Sequence, residues 1–319
     1  MQAVAALLLA ATLQQSPDRE LTVACWNTEN LFDTRRDTDA NGEPVPSEEE
    51  LQKKMAKLAE VIKYLKADIV GLTEVENQGV LRRLVREHLK DDGYSHFMLV
   101  DDTDPRGIDA AMIAKRPFTA YCFEIPGHTR GILACRFTIA GEPFYVLVNH
   151  WKSRIGGGED IRMACARRTV ELVRDVLPLH EGRPVPTLIT GDFNDDDGDP
   201  SVMSLEQAGL TNTLKSLPPD ERWTYPWWDS SNKKVHYHTF DHIFANAAML
   251  DGSGVDLAAG SARVVRPKFM LRKRTISGAA YDWVDDSYGN HLGYSDHLPV
   301  VVRVASRKGV PDAPAKREE

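Results

Sequence analysis

Six groups of polar residues occupy the same kind of position in this chain, directly after a short apolar run of β-favouring residues. They are Asn27 and Glu29 in VACWNTENLFD, Glu74 in DIVGLTEVEN, Asn149 and His150 in YVLVNHWKSR, Asp192 and Asn194 in LITGDFND, Asp241 in TFDHIFAN, and Asp296 with His297 in GYSDHLPV. One Asn or Asp after a strand is ordinarily a turn residue. Six such strand ends point to one crevice, because ligands bind at the C-terminal ends of strands in open α/β sheets.

The residue types specify a reaction. Carboxylate and amide oxygens without a thiolate suit Mg²⁺, Mn²⁺ or Ca²⁺, ions held by one or two protein carboxylates with water and substrate phosphate completing the shell. Glu74 is the leading ligand candidate. Asp192 beside Asn194 sets a base next to an amide that can donate to a phosphoryl oxygen, and a His paired with an Asp can donate a hydrogen bond or act as an acid near neutral pH. Together they describe in-line attack of water on phosphorus.

The elements that must position these side chains are legible from periodicity. Leu21–Trp26 and Asp68–Leu72 read as strands, and between them Ser47 and Glu50 form a capping box. Leu51, Met55, Leu58, Ile62 and Leu65 then recur at helical spacing. Val80–Leu89 and Ile161–Leu177 read as helices, and Ala110–Ala114, Cys135–Ile139, Phe144–Asn149 and Thr187–Thr190 as strands. This alternation predicts an α/β sheet protein. Loops are expected at 35–46, 101–107 and 195–200, and an irregular region at 251–290 that carries the basic run RPKFMLRKR.

The chain has 319 residues, 42% of them hydrophobic and 27% charged, with a net charge of −8. A globular protein is expected, and binding to a long polyanion would depend on a local basic patch or bound metal. The apolar stretch Met1–Leu13 is too short to span a bilayer and predicts an export leader over residues 1–18, hence a secreted or periplasmic protein, with a cytosolic N-terminal helix as the alternative. One domain is expected over 19–306, with a polar tail over 307–319. Cys25, Cys122, Cys135 and Cys165 lack zinc-site spacing and are expected in the core.

The motifs WNTEN, TEVEN, NHWKSR, GDFND, FDHIF and SDHLPV resemble, in identity and order, those of the endonuclease/exonuclease/phosphatase superfamily, which includes DNase I, abasic-site endonucleases, bacterial sphingomyelinases and inositol-polyphosphate phosphatases. The resemblance runs from about Leu21 to Val302. It implies a four-layer α/β sandwich, two mixed β-sheets packed face to face with helices outside. It implies metal ligation by Glu74, Asn27 and Asp296, and catalysis by Asp192 as base, Asn194 as its phosphate-side helper, His297 oriented by Asp241, and His150. Glu29, Asp109, Asn149, Lys152 and Arg154 are candidates for the substrate phosphate.

The expected enzyme is a monomeric, Mg²⁺-dependent (or Mn²⁺- or Ca²⁺-dependent) phosphoesterase acting on a phosphodiester, with nucleic acid as first choice and no protein partner. A phospholipid or sugar-phosphate phosphoesterase is the runner-up, and a binding module with a dead site the third reading. Trp227 and Trp228 could stack on bases or a lipid headgroup, and Trp223 is expected in the core. The basic run is expected in a solvated loop. Alternation through HYHTFDH is expected to turn His236, His238 and His242 to one face and Asp241 to the other.

Overall fold

In the computed structural model, residues 19–36, 45–284 and 292–307 are described. The expected leader, the tail beyond Arg307 and parts of the loops at 35–46 and 251–290 lie outside the described residues. The strands are, in chain order, β1 (Glu20–Leu31), β2 (Ile69–Val75), β3 (His96–Leu99), β4 (Asp109–Ala114), β5 (Thr119–Phe123), β6 (Ile132–Ile139), β7 (Glu142–His150), β8 (Thr187–Asp192), β9 (Thr211–Asn212), β10 (Tyr225–Asp229), β11 (Lys234–His238), β12 (Asp241–Ala245), β13 (Val255–Leu257), β14 (Arg263–Val264), β15 (Leu271–Ile276), β16 (Ala279–Val284) and β17 (Val300–Ser306).

Two mixed sheets result. One has the order β13-β17-β1-β2-β4-β3 with β14 also on β17, and the other β5-β6-β7-β8-β12-β9. Each contains one parallel pair, β1 with β2 and β7 with β8, flanked by antiparallel neighbours. A parallel pair brings two strand C-termini to one edge, so four of the six motif-bearing segments open at the same side of the molecule.

β7 shows how the layers form. Phe144, Val146 and Val148 join the core between the sheets, while Tyr145 and Leu147 join a second cluster. That cluster lies under α3 (Glu159–Glu171), which contributes Cys165 and Ala166. Both faces are buried, which explains the continuous apolar run. On the far side α2 (Gln78–Arg83) adds Val80 and Leu81 to the core, and α1 (Glu48–Leu65) buries Leu51, Met55, Leu58, Ile62 and Leu65 against the first sheet. Its expected capping box is present: Ser47 Oγ accepts from Glu50 N–H at 3.3 Å and Ser47 N–H donates to Glu50 Oε2 at 2.8 Å. The layers are thus helix, sheet, sheet, helix, as expected.

Three expectations are corrected. The helix over 161–177 ends as α at Glu171 and continues through a π-turn, Leu172–Val176, into a short segment with Pro178 in its first turn. The basic run is not wholly loop: Leu271–Arg274 starts the hairpin β15–β16, where Lys273 pairs with Asp282 at 2.6 Å and the Arg274 guanidinium lies 4.6 Å from the Trp283 ring. The strand through HYHTFDH is broken at Thr239 and Phe240: β11 pairs with β10 and β12 with β8, so His242 does not share a face with His236 and His238. Cys25, Cys135 and Cys165 are buried, Cys122 is half-buried, and all four thiols are free.

Candidate active site

Strand parity decides which motif residues reach the inter-sheet edge. In β7 the inward series 144, 146, 148 continues to His150, and the outward series 145, 147 continues to Asn149. In β8 Leu188 faces inward, and so does Asp192. In β12 Ile243 and Ala245 face inward with Asp241, while Phe244 faces outward with His242. Register then aligns Asp192 with His150 on one side and Asp241 on the other.

On the first sheet parity alone would not suffice. Register shifts interrupt β1 against β2 between Asn27 and Leu31, and β2 against β4 between Leu72 and Val75. Within them Glu29, Asn30 and Glu74 take φ of 52°, 61° and 61°, and Asn194 opposite takes 53°. Left-handed backbone costs a non-glycine residue about 1–2 kcal/mol. Bulges of this kind re-aim side chains next to functional sites, and here they turn Glu29 and Glu74 to a cleft of about 620 Å³.

The buried Asp192 carboxylate accepts from Asn27 Nδ2 at 3.0 Å and from Asn194 N–H at 2.9 Å. Asn27 Nδ2 also lies 3.3 Å from Glu74 Oε1, and its Oδ1 accepts Glu29 N–H at 2.8 Å, so its amide spaces the two carboxylates. Glu74 Oε2 accepts Asn30 N–H at 3.0 Å. His297 Nδ1 donates to Asp241 Oδ2 at 2.7 Å, which leaves Nε2 facing Asp192 Oδ2 at 3.9 Å and Asp296 Oδ1 at 3.9 Å. His150 Nε2 lies 3.7 Å from Glu74 Oε1 and 3.8 Å from Asp192 Oδ2.

The electrostatics separate the two histidines. Burial opposes charge on His297, yet Asp241, Asp192 and Asp296 together hold its imidazolium well above the usual histidine range. Burial, reinforced by Arg130 and Arg106, keeps His150 neutral well below that range. Burial also lifts the Asp192 carboxyl, opposed by His297 and reinforced by Asp241. A carboxyl raised toward neutrality beside a charged imidazole is suited to accepting a proton.

Of the three candidate metal ligands, Glu74 and Asp296 are carboxylates on the cleft lining that could hold a metal, whereas Asn27 uses its Oδ1 to accept Glu29 N–H and its Nδ2 on Glu74 and Asp192. Among the described residues no three His, Cys, Asp or Glu side chains form a metal cage. An open, oxygen-only set fits a hard divalent ion that keeps water and takes substrate oxygens.

The other candidates fall in different places. Glu29, Asn194 and Arg154 line the cleft; Arg154 Nε donates to Asn194 O at 2.9 Å and its guanidinium pairs with Asp196 at 3.2 Å. Asn149 points under α3, where it accepts from Trp151 Nε1 at 3.1 Å and Thr169 Oγ1 at 3.2 Å, so parity removes it from the phosphate candidates. Lys152 turns back onto its own loop, with Nζ donating to Ile155 O at 2.8 Å and Ser153 O at 3.2 Å, and does not line the cleft. Asp109 is buried at the start of β4, accepting Asp102 N–H at 3.2 Å, and also does not line the cleft.

Burial, with added repulsion from Asp102, Asp101 and Asp104, pushes the Asp109 carboxyl up to about 7. The native state therefore holds this proton up to about pH 7 and the unfolded chain only to about 3.8. Stability from this group falls as pH rises through that window and is level above it. Asp109→Asn is expected to gain on the wild type steadily from pH 4 to 7, seen as a melting-temperature gap that widens and then plateaus. Parallel melting curves across that range would contradict the burial argument.

The strand-end pattern misses residues on loops. Arg106 donates to Asn30 Oδ1 and lines the cleft, as does Arg130, whose Nε is held by the buried Asp104 carboxylate at 2.8 Å. Tyr225, Trp227, His238 and Phe240 form a further wall, from β10, β11 and the turn after them. No local sequence signal marks the arginines, which lie in turns whose closure onto the cleft is tertiary.

A four-layer sandwich that brings a buried carboxylate, a carboxylate-held imidazolium and open oxygen donors to one edge of its two sheets is a DNase I-like phosphoesterase scaffold. The chain belongs to the endonuclease/exonuclease/phosphatase family, whose model matches residues 22–306. None of the curated proteins compared matches the chain. Among solved structures it is similar to D. rerio TDP2 complexed with single strand DNA product, at 16% identity over 91% of this chain and 100% of that one, with a TM-score of 0.59. It is also similar to a mannosyl-6-phosphatase of Bacteroides thetaiotaomicron, at 20% identity over 89% and 99% of the two chains and a TM-score of 0.58. The human Nocturnin catalytic domain with bound sulfate anion gives 18% identity over 90% and 94%, with a TM-score of 0.58.

Proposed function

We propose that the protein hydrolyses a phosphodiester with Mg²⁺, Mn²⁺ or Ca²⁺ bound at Glu74 and Asp296, and that it is an exported nuclease or phosphodiesterase. The observation that carries this reading is the position of Asp192, braced by Asn27 and Asn194 within 4 Å of both imidazoles. Asp192 takes a proton from water as the water oxygen bonds to phosphorus, and the opposite P–O bond breaks with its electron pair going to the ester oxygen, which takes a proton from solvent. His297 Nε2–H, fixed by Asp241 on Nδ1, donates to the phosphoryl oxygen that gains charge. Neutral His150 orients a second oxygen. The divalent ion, when bound, supplies positive charge to the phosphoryl group. Export rests on the apolar stretch Met1–Leu13.

Arg106, Arg130 and Arg154 on the cleft wall favour a second reading, a sugar-phosphate phosphoesterase, for which cations around a monoester are needed. One panel separates them: plasmid DNA, RNA, bis-p-nitrophenyl phosphate, sphingomyelin and hexose phosphates, each with Mg²⁺ and with EDTA. EDTA-sensitive cleavage of DNA or RNA is expected. Release of phosphate from the hexose esters alone moves the assignment to the second reading, and silence with every substrate removes both.

A further inference from the structure

Within the cleft, aromatic rings form a continuous series that begins at the catalytic histidine. The Tyr225 ring lies 4.8 Å from His297 between centroids, Phe240 lies 5.3 Å from Tyr225, and His238 stacks on Phe240 at 4.7 Å with 13° between planes. Trp227 follows at 6.3 Å from His238, with His236 beside it at 5.9 Å. Trp227 is 46% exposed at the lip of the cleft. The other exposed apolar residue on that lip is Ile155, 85% exposed, at the head of a loop whose Gly156, Gly157 and Gly158 all have positive φ. Arg154 lies between ring wall and reaction centre, its guanidinium 4.8 Å over Phe240 and its Nε on Asn194 O.

From this geometry we infer that Trp227, His238 and Ile155 form a subsite for a flat nitrogenous ring, the nucleobase attached to the scissile phosphate. The inference rests on the phosphoesterase reading and deepens it. An exposed indole at the end of a ring series offers a face on which a base can stack, a contact that tolerates any base because every base has a π-face. A lipid anchor would need a contiguous apolar patch. Here imidazoles interrupt the wall, and the neighbouring Trp228 is turned to Tyr281 at 6.2 Å, off the cleft. In a duplex both base faces are already covered, so the subsite takes an unpaired base. The substrate class that follows is single-stranded nucleic acid or its nucleotide ends.

The test is equilibrium binding by calorimetry, with the substrate ring present or absent. Adenosine 5′-monophosphate is expected to bind the wild type about tenfold more tightly than ribose 5-phosphate, equivalent to about 1.4 kcal/mol. Trp227→Ala should erase that difference, Trp227→Phe should keep most of it, and Trp228→Ala should leave it intact. Equal affinities in the wild type, or a difference that survives Trp227→Ala, overturn the subsite, as does wild-type binding to phosphatidylcholine vesicles without a preference for the adenine ligand. Hydrolysis of bis-p-nitrophenyl phosphate, followed in parallel, keeps the two proposals apart. Turnover without ring preference removes only the subsite, whereas ring preference without turnover retains the subsite and removes the hydrolytic reading.

Discussion

Asp192→Asn is expected to lower kcat by about a thousandfold or more while the protein folds and binds Mn²⁺ almost as the wild type does. The carboxylate accepts two hydrogen bonds, from Asn27 Nδ2 and Asn194 N–H. An amide can accept only one of them, so about 1 kcal/mol of hydrogen bonding is lost. That loss is opposed by relief of a buried charge, since burial already raises this carboxyl. Folding should therefore change little. Proton acceptance disappears, and a positioned base contributes about 10²–10⁴-fold to rate. Single-turnover hydrolysis of bis-p-nitrophenyl phosphate, melting temperature and Mn²⁺ calorimetry give the three readings. Activity within threefold of the wild type would remove Asp192 as the base, and loss of Mn²⁺ binding along with activity would assign it to the metal instead.

Gly191→Ala is expected to yield no stably folded protein. Gly191 sits in β8 opposite Asn149 of the neighbouring parallel strand, with φ of +139°. A Cβ there would lie 1.9 Å from Asn149 O and 2.7 Å from its N and C, all backbone atoms. Accommodating it means parting the two central strands that carry His150 and Asp192, at more than about 4 kcal/mol, the range reached only by severe core or backbone damage. Gly71→Ala is the contrast. Its Cβ meets a side-chain methyl, Val148 Cγ2, at 2.7 Å, so repacking at about 1–3 kcal/mol suffices. Thermal unfolding by circular dichroism compares the two, and a Gly191→Ala protein melting within a few degrees of the wild type would refute the close-approach argument.

The alternation of side chains along strands explains how far the sequence carried. Short apolar runs ending in polar residues identified the right edge of both sheets, and the order of motifs identified the family. Alternation in β7 already sets Asn149 and His150 on opposite faces, but both faces are apolar, and only the layers packed on them decide that His150 faces inward. HYHTFDH marks the limit of alternation, because at Thr239 and Phe240 the chain leaves one sheet for another and the period-two pattern does not carry across the break.

By itself the sequence determined the chemistry-bearing set, the α/β class and the helix that closes the first sheet, because these depend on local periodicity and on residue type at strand ends. Only the tertiary structure decided the aim of Glu29 and Glu74, which depends on bulges against neighbouring strands. Only it brought Arg106, Arg130 and Trp227 to the cleft, and separated Trp227 from Trp228 into a cleft residue and a packing residue. Bulge position, loop closure and the pairing of one hairpin against another are set by contacts between segments far apart in the chain. No single stretch of residues carries them.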